Sequence, residues 1–246
     1  MKTILIATRN AHKTGEIRSI LGGDYRFLTL NDFPGAPGVI EDAATFAGNA
    51  AKKAVALAAW LGRGGSAVFT PLHPPAVPGA GGPIPSDAAD DVWVLADDSG
   101  LEVDALHGAP GVHSARFAAV DQLKDGNTPD ADNNAKLLRL LRAVPAEKRT
   151  ARFRCVMALT RAGADPAAGA SPACHLGDEP RTELFDGVCE GRIDFALRGR
   201  GGFGYDPLFI PVGFDQSFAE LGATVKDRIS HRAQALEKLK QWPGKV

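Results

Sequence analysis

Two rhythms of apolar residues alternate along this chain. Short unbroken apolar runs read as buried strands, and apolar residues returning every three or four positions read as one-sided helices. Residues 2–8 (KTILIAT) follow the first rhythm. Residues 12–21 follow the second, with Ile17, Ile20 and Leu21 on the apolar side. A strand over about 25–30 comes next. Residues 45–61 predict a long helix, because Phe46, Ala50, Ala54, Leu57 and Leu61 recur at helical spacing. Residues 92–96 predict a short apolar strand, with 101–103 as a candidate hairpin partner. A helix over 132–141 precedes two longer strand-like segments, 151–161 and 183–193, and a helix carrying Leu236 and Leu239 closes the chain. Strands and helices interleave rather than segregate, which predicts an α/β fold with a mixed sheet flanked by helices.

Two segments escape both rhythms. Residues 62–91 are dense in Gly and Pro (GRGGSAVFTPLHPPAVPGAGGPIP) and predict no regular element. A structureless stretch of that length is uncommon inside a compact domain, so it is expected as a surface or disordered insertion. Residues 162–180 are a milder case.

Composition narrows the classes. At 246 residues the chain suffices for one large domain or two lobes, and 23% charged with 44% apolar residues is ordinary for a globular protein. A formal net charge of −1 leaves no global basic field for a long nucleic acid. The three cysteines (Cys155, Cys174, Cys189) are scattered and form no CxxC pair, which fits a reducing cytoplasm better than a disulfide framework. The N-terminal apolar run ends too early for a signal peptide, and no run approaches the roughly 20 apolar residues of a membrane span.

The candidate chemistry starts with LADDSGLEVDA, residues 95–105, where an apolar strand is expected to stop at two adjacent carboxylates, Asp97 and Asp98. Such a pair suits a hard divalent cation, usually Mg²⁺, sharing its coordination with water and phosphate oxygens. Glu41 offers another oxygen, and Ser99-Gly100 permits close backbone approach to a ligand. The alternative is an Asx-type turn closing a hairpin. In TRNAHK, residues 8–13, Asn10 is a good N-cap for the following helix. Arg9, His12 and Lys13 then gather at a helix N-terminus, where the macrodipole already disfavours cations. A bound phosphate resolves that conflict, and a solvated helix start is the other reading.

GRGGFGYDP, residues 199–207, contains G-x-G-x-x-G but lacks the strand–turn–helix setting of a dinucleotide site. It reads as a glycine loop presenting Phe203 and Tyr205, followed by Asp206; aromatic faces there suit base stacking, and core aromatics are the alternative. In KDRISHRAQALEKL, residues 226–239, a break at Ser230 with a new helix start places His231 and Arg232 in a first turn. Those donors suit an acceptor on a base edge, against the plainer reading of an exposed basic helix start.

Together ATRNAHK, TFAGNAAKKA, LADDSGLEVDALHGAPGVHSARFA, GGFGYDPLF and KDRISHRAQAL, spread in order over nearly the whole chain, resemble the inosine/xanthosine triphosphate pyrophosphatase family. The resemblance implies an elongated two-lobed fold, a homodimer and Mg²⁺-dependent cleavage of non-canonical purine nucleoside triphosphates to monophosphate and pyrophosphate. The charge balance and the lack of an apolar span predict no nucleic-acid or membrane partner. Carried over by motif, Thr8, Arg9, Asn10, Ala11, His12 and Lys13 cradle the triphosphate, and Lys53 adds charge beside it. Glu41 and Asp98 hold the metal, Asp98 also serves as base for the attacking water, and Ser99 contacts substrate. Phe203, Gly204, Tyr205 and Asp206 stack on and hydrogen-bond the base, with Lys226, His231 and Arg232 completing its recognition. The chain departs from the family's pattern at Gly48, where many relatives carry an acidic residue, and in the 62–91 segment. Two other functions remain in view: a triphosphatase for modified pyrimidine or standard nucleotides, and a nucleotide sensor without turnover.

Overall fold

The computed structural model of the chain describes residues 2–23, 25–65, 92–122, 126–162 and 182–244. The Gly/Pro segment beyond Gly65 and most of 162–180 lie outside the described residues. The strands are β1 (Thr3–Ile6), β2 (Arg26–Thr29), β3 (Val92–Val103), β4 (Thr150–Arg161), β5 (Glu183–Ile193) and β6 (Phe209–Pro211). They form a six-stranded sheet in the order β2-β1-β3-β4-β5-β6. The helices are α1 (Ala11–Leu21), α2 (Phe46–Gly62), α3 (Asp130–Leu141), α4 (Phe218–Ile229) and α5 (His231–Gln241). Both parallel and antiparallel pairs occur, so the α/β fold with a mixed sheet expected from the sequence is what forms.

The chain divides into two compact units: Met1–Asp97 with Met157–Phe185 and Trp242–Val246, and Asp98–Val156 with Asp186–Gln241. In the first, β1 pairs in parallel with β2 (Thr3 opposite Arg26) and with β3 (Thr3 opposite Val92). All four residues of β1 are buried, as expected of a parallel strand covered on both faces. Ile4, Leu5, Ile6, Ile17, Leu57 and Leu95 form the core there. In the second unit β5 pairs antiparallel with β6 (Arg192 opposite Ile210), and Leu101, Val103, Phe117, Leu137, Leu141, Phe153, Phe209 and Phe218 belong to one apolar cluster.

One expectation is corrected. The apolar run ending at Ala96 does not stop there, and residues 101–103 are not its hairpin partner. A single 12-residue strand runs from Val92 through Asp97, Asp98, Ser99 and Gly100 to Val103. Successive strand side chains point to opposite faces, so the two carboxylates are neighbours in sequence but do not stack their charges side by side. Three-residue β6 and helix α4 were not expected. β6 is too short to show a period, and α4 is interrupted at Gly222 (φ 77°), which breaks its helical spacing. The break at Ser230 is as expected: α4 ends at Ile229, Ser230 is extended (φ −68°, ψ 162°), and α5 starts at His231.

Candidate active site

In the first unit the side chains come from the β1–α1 turn, the start of α2 and the middle of β3. Asn10 caps α1, its Oδ1 accepting from the backbone N–H of His12 (2.9 Å) and Lys13 (3.2 Å), while Thr8 Oγ1 accepts from Asn10 N–H (3.1 Å). Residues 9–12 are exposed in this turn. Lys13, pointing from the first turn of α1, forms an ion pair with Asp97, whose side chain is wholly buried while Lys13 keeps 19% of its own exposed. Lys53, inside α2, donates to the Asp97 carbonyl oxygen at 2.6 Å and lies 3.4 Å from Glu41. The Glu41 segment is tied to α2 by Asn49, whose Oδ1 accepts from Ala43 N–H at 2.9 Å. Thus the expected Lys13, Lys53 and Glu41 gather around one strand position, and that position is Asp97. A hydrogen-bonded network with two ammonium groups on one buried aspartate is a charge-assisted arrangement that keeps both cations in place before any ligand arrives.

Gly48 has a local reason to be glycine. Its N–H donates to the Thr45 cap (3.1 Å), and a Cβ there would meet the Ala43 methyl at 2.8 Å. An acidic side chain at this position would have to displace the Glu41 segment.

In the second unit β3 continues with Asp98, which is 6% exposed, and Ser99, whose Oγ accepts from Arg232 Nη2 at 3.0 Å. Asp206 is 1% exposed and its Oδ2 accepts from both Lys226 Nζ (2.5 Å) and Phe203 N–H (2.9 Å). Gly202 (φ +74°) makes this turn possible, since any Cβ there would collide with the Asp206 carboxylate. Lys226 Nζ stands 4.5 Å from the centre of the Phe203 ring, and the Arg232 guanidinium 5.9 Å from it. His231 stacks on Phe153, with ring centres 4.8 Å apart and planes 12° from parallel. Close behind His231, Gly187 of β5 leaves no room for a Cβ against the His231 and Ala235 backbone, so α5 lies directly on the strand. Asp206, Lys226 and Arg232 are therefore assembled around Phe203, and all three are almost fully buried.

Tyr205 is placed differently from Phe203. It is 3% exposed, belongs to the apolar cluster, and its hydroxyl donates to the Ser114 carbonyl oxygen at 2.9 Å. Burial, and secondarily the negative charge of Asp130, push its phenol pKa upward. Its ring is core, whereas Phe203 stays partly exposed. Ser114 was missed by the sequence reading; it also accepts from Leu101 N–H through Oγ (2.9 Å) and so joins β3 to the glycine loop's tyrosine. Phe153 was missed as well, because an alternating strand offers no signal for which inward residue will face a histidine.

A metal ion fits the donor chemistry only in part from protein atoms. Among the described residues no group of three or more His, Cys, Asp and Glu side chains is arranged as a metal cage. Mg²⁺ characteristically uses one or two carboxylates and completes its shell with water and phosphate oxygens, so a site for it needs no such cage. Among the described residues no helix is long and apolar enough to cross a membrane.

A sequence model of the Ham1 family matches residues 4–242. The chain is 42% identical over 236 residues to the dITP/XTP pyrophosphatase of Desulforamulus reducens, covering 96% of this chain and 92% of that one. Among solved structures it resembles a HAM1 protein from Coxiella burnetii, with 32% identity, a TM-score of 0.70 and 98% of each chain covered. It also resembles the nucleoside-triphosphatase / dITP/XTP pyrophosphatase of Mycobacterium abscessus, with 32% identity, a TM-score of 0.61, and 96% of this chain and 98% of that one covered.

Proposed function

We propose, from the premise that this chain belongs to the Ham1 family, that it hydrolyses the triphosphates of inosine and xanthosine to the nucleoside monophosphate and pyrophosphate. The observation that carries this reading is the set of buried cations, Lys226 and Arg232, held 4.5 and 5.9 Å from the Phe203 ring. An aromatic ring with cationic hydrogen-bond donors close over it suits a purine bearing a 6-oxo acceptor. Adenine presents a 6-amino donor instead, and donors facing a donor leave buried polar groups unpaired, which a site of this kind rejects by a factor of roughly 10⁴. The relatives named dITP/XTP pyrophosphatase support the same substrate class.

The residue roles follow from chemistry. Lys13 and Lys53 supply positive charge to the triphosphate, together with the positive end of the α1 dipole. The buried Asp97 holds both lysines in place, which avoids reorganising them during the reaction. Asp98 orients the attacking water and takes its proton. Mg²⁺, held by Glu41 and Asp98, would offset charge on the phosphates and make the phosphorus more electrophilic. The chain is further proposed to work as a cytoplasmic homodimer; a monomer mass by light scattering removes the dimer.

The test is a substrate panel on the purified chain with Mg²⁺: inosine, xanthosine, guanosine, adenosine and thymidine triphosphates, with the phosphorus products identified. Pyrophosphate released fastest from the inosine and xanthosine substrates is expected. Orthophosphate as product, or equal rates across the panel, rejects the proposal, and binding without turnover points to a sensor. Repeating the panel after chelation asks whether a divalent ion is needed.

A further inference from the structure

The glycine loop that carries Phe203 and Asp206 is gripped from one helix. Gly204 has φ +62°, a left-handed conformation, and the two peptide planes that flank it are each held by a side chain of α3. Its N–H donates to Asp130 Oδ2 at 2.6 Å, and its carbonyl accepts from Asn134 Nδ2 at 2.9 Å. Asp130 and Asn134 are four residues apart, so they project from the same face of α3 and reach the loop together. Fixing both planes fixes φ and ψ at Gly204, and with them the direction in which Phe203 leaves the loop and the place where Asp206 returns.

The helix is itself anchored for this task. Asn133, 2% exposed, accepts through Oδ1 from Ala118 N–H (2.8 Å) and from Thr128 Oγ1 (2.7 Å), tying the start of α3 to the preceding segment. Asp130 sits in the first turn, where a negative charge is favoured by the helix dipole. Asn134 is 4% exposed, yet among the described residues its Oδ1 has no hydrogen-bond partner. A buried amide with one end unsatisfied is a poor choice for stability alone. Its Nδ2–H bond to the loop is what the side chain provides.

We propose that Asp130 and Asn134 are positioning residues for base recognition, acting on the nucleotide through the Gly204 peptide without touching it. This rests on the reading of residues 203–206 as the base-binding loop. It extends the recognition set to α3, outside the motifs that define it. A loop held in its binding geometry beforehand loses less freedom when ligand arrives, so the grip acts on affinity rather than on the chemical step.

The experiment compares the wild-type chain with Asp130→Ala, Asp130→Asn and Asn134→Leu in steady-state hydrolysis of inosine triphosphate, with a thermal melt of each. Asp130→Ala and Asn134→Leu should each raise KM about tenfold with kcat within about twofold. Asp130→Asn keeps an acceptor for the Gly204 N–H and should recover most of the wild-type KM. Wild-type KM in Asp130→Ala and Asn134→Leu, a lowered kcat at unchanged KM, or an asparagine variant no better than alanine overturns the inference while leaving the hydrolase reading intact. If Asp130→Ala does not fold, Asn134→Leu, which removes an unsatisfied buried acceptor, decides by the same criteria. A wild-type chain that turns over no inosine triphosphate defeats the functional reading and this inference with it.

Discussion

The cations assigned to the phosphates are less deeply buried than those assigned to the base. Lys13 and Lys53 keep 19% and 11% of their side chains exposed, and Glu41 beside them keeps 38%. Lys226 and Asp206 keep 5% and 1%, and Arg232 is 1% exposed as a residue. The difference matches what each ligand part brings. A triphosphate carries its own strong charge and needs cations within reach, Lys13 held here by the Asp97 carboxylate and Lys53 by the Asp97 carbonyl oxygen. A purine is neutral, so its recognition depends on desolvated donors held at fixed positions, where a mismatched partner is costly. On the proposed reading, one region works through charge and the other through geometry.

This contrast is most sharply broken at Asp98. Asp98→Asn should lower kcat by about 10²–10⁴-fold with an unchanged melting temperature, since the amide cannot take a proton from water. Near-normal turnover in that variant would remove the assigned base. Lys13→Ala comes next, with kcat/KM down about 10²-fold and the melt showing a loss of about 2 kcal/mol, because Asp97 loses an ammonium partner. A variant that is destabilised but kinetically normal would make the Lys13–Asp97 pair purely structural.

Arg232→Ala is expected to act on selectivity more than on rate. The ratio of kcat/KM for inosine over adenosine triphosphate should fall about tenfold, and an unchanged ratio would take Arg232 out of base reading. Tyr205→Phe tests the division within the glycine loop itself: a loss of about 1 kcal/mol of stability, from the bond to Ser114, with KM and kcat near wild type. A large rise in KM would return Tyr205 to the binding surface.

The smallest expected effect is on alkaline stability. Burial, with a lesser contribution from the Glu190 charge, pushes the Cys189 thiol from 9.0 up to about 12. An unfolded chain loses this proton at lower pH than the folded one, so the folded state binds more protons and stability falls as pH rises from about 9 towards about 12. Tyr205 shifts in the same direction. Melting temperatures measured across that range should decline less steeply in Cys189→Ala than in the wild type; equal slopes would remove the thiol from the effect.

The legibility of this chain varied with how local the determining interaction was. Asn10 as N-cap, the helix containing Phe46 and Leu57, the strand 183–193 and the break at Ser230 depend on residues within a few positions of one another, and each is where the pattern puts it. The continuation of β3 through Asp97 and Asp98 was illegible. A polar pair followed by Ser-Gly looks like a turn until a lysine 84 positions away is known to neutralise the first carboxylate. Asp130 and Asn134 carried only a weak signal, a polar pair four apart on an otherwise amphipathic helix, with nothing to say that its partner was Gly204.

By itself, then, the order of residues determined the α/β class, most elements and the types of side chain available for phosphate and base, because these follow from periodicity, capping and functional-group chemistry. Tertiary structure alone decided that Asp97 pairs with Lys13, that Tyr205 is core while Phe203 is partly open, and that α3 grips the loop. Those outcomes depend on burial and on partners distant along the chain. Desolvation and long-range pairing exist only once the chain has closed on itself.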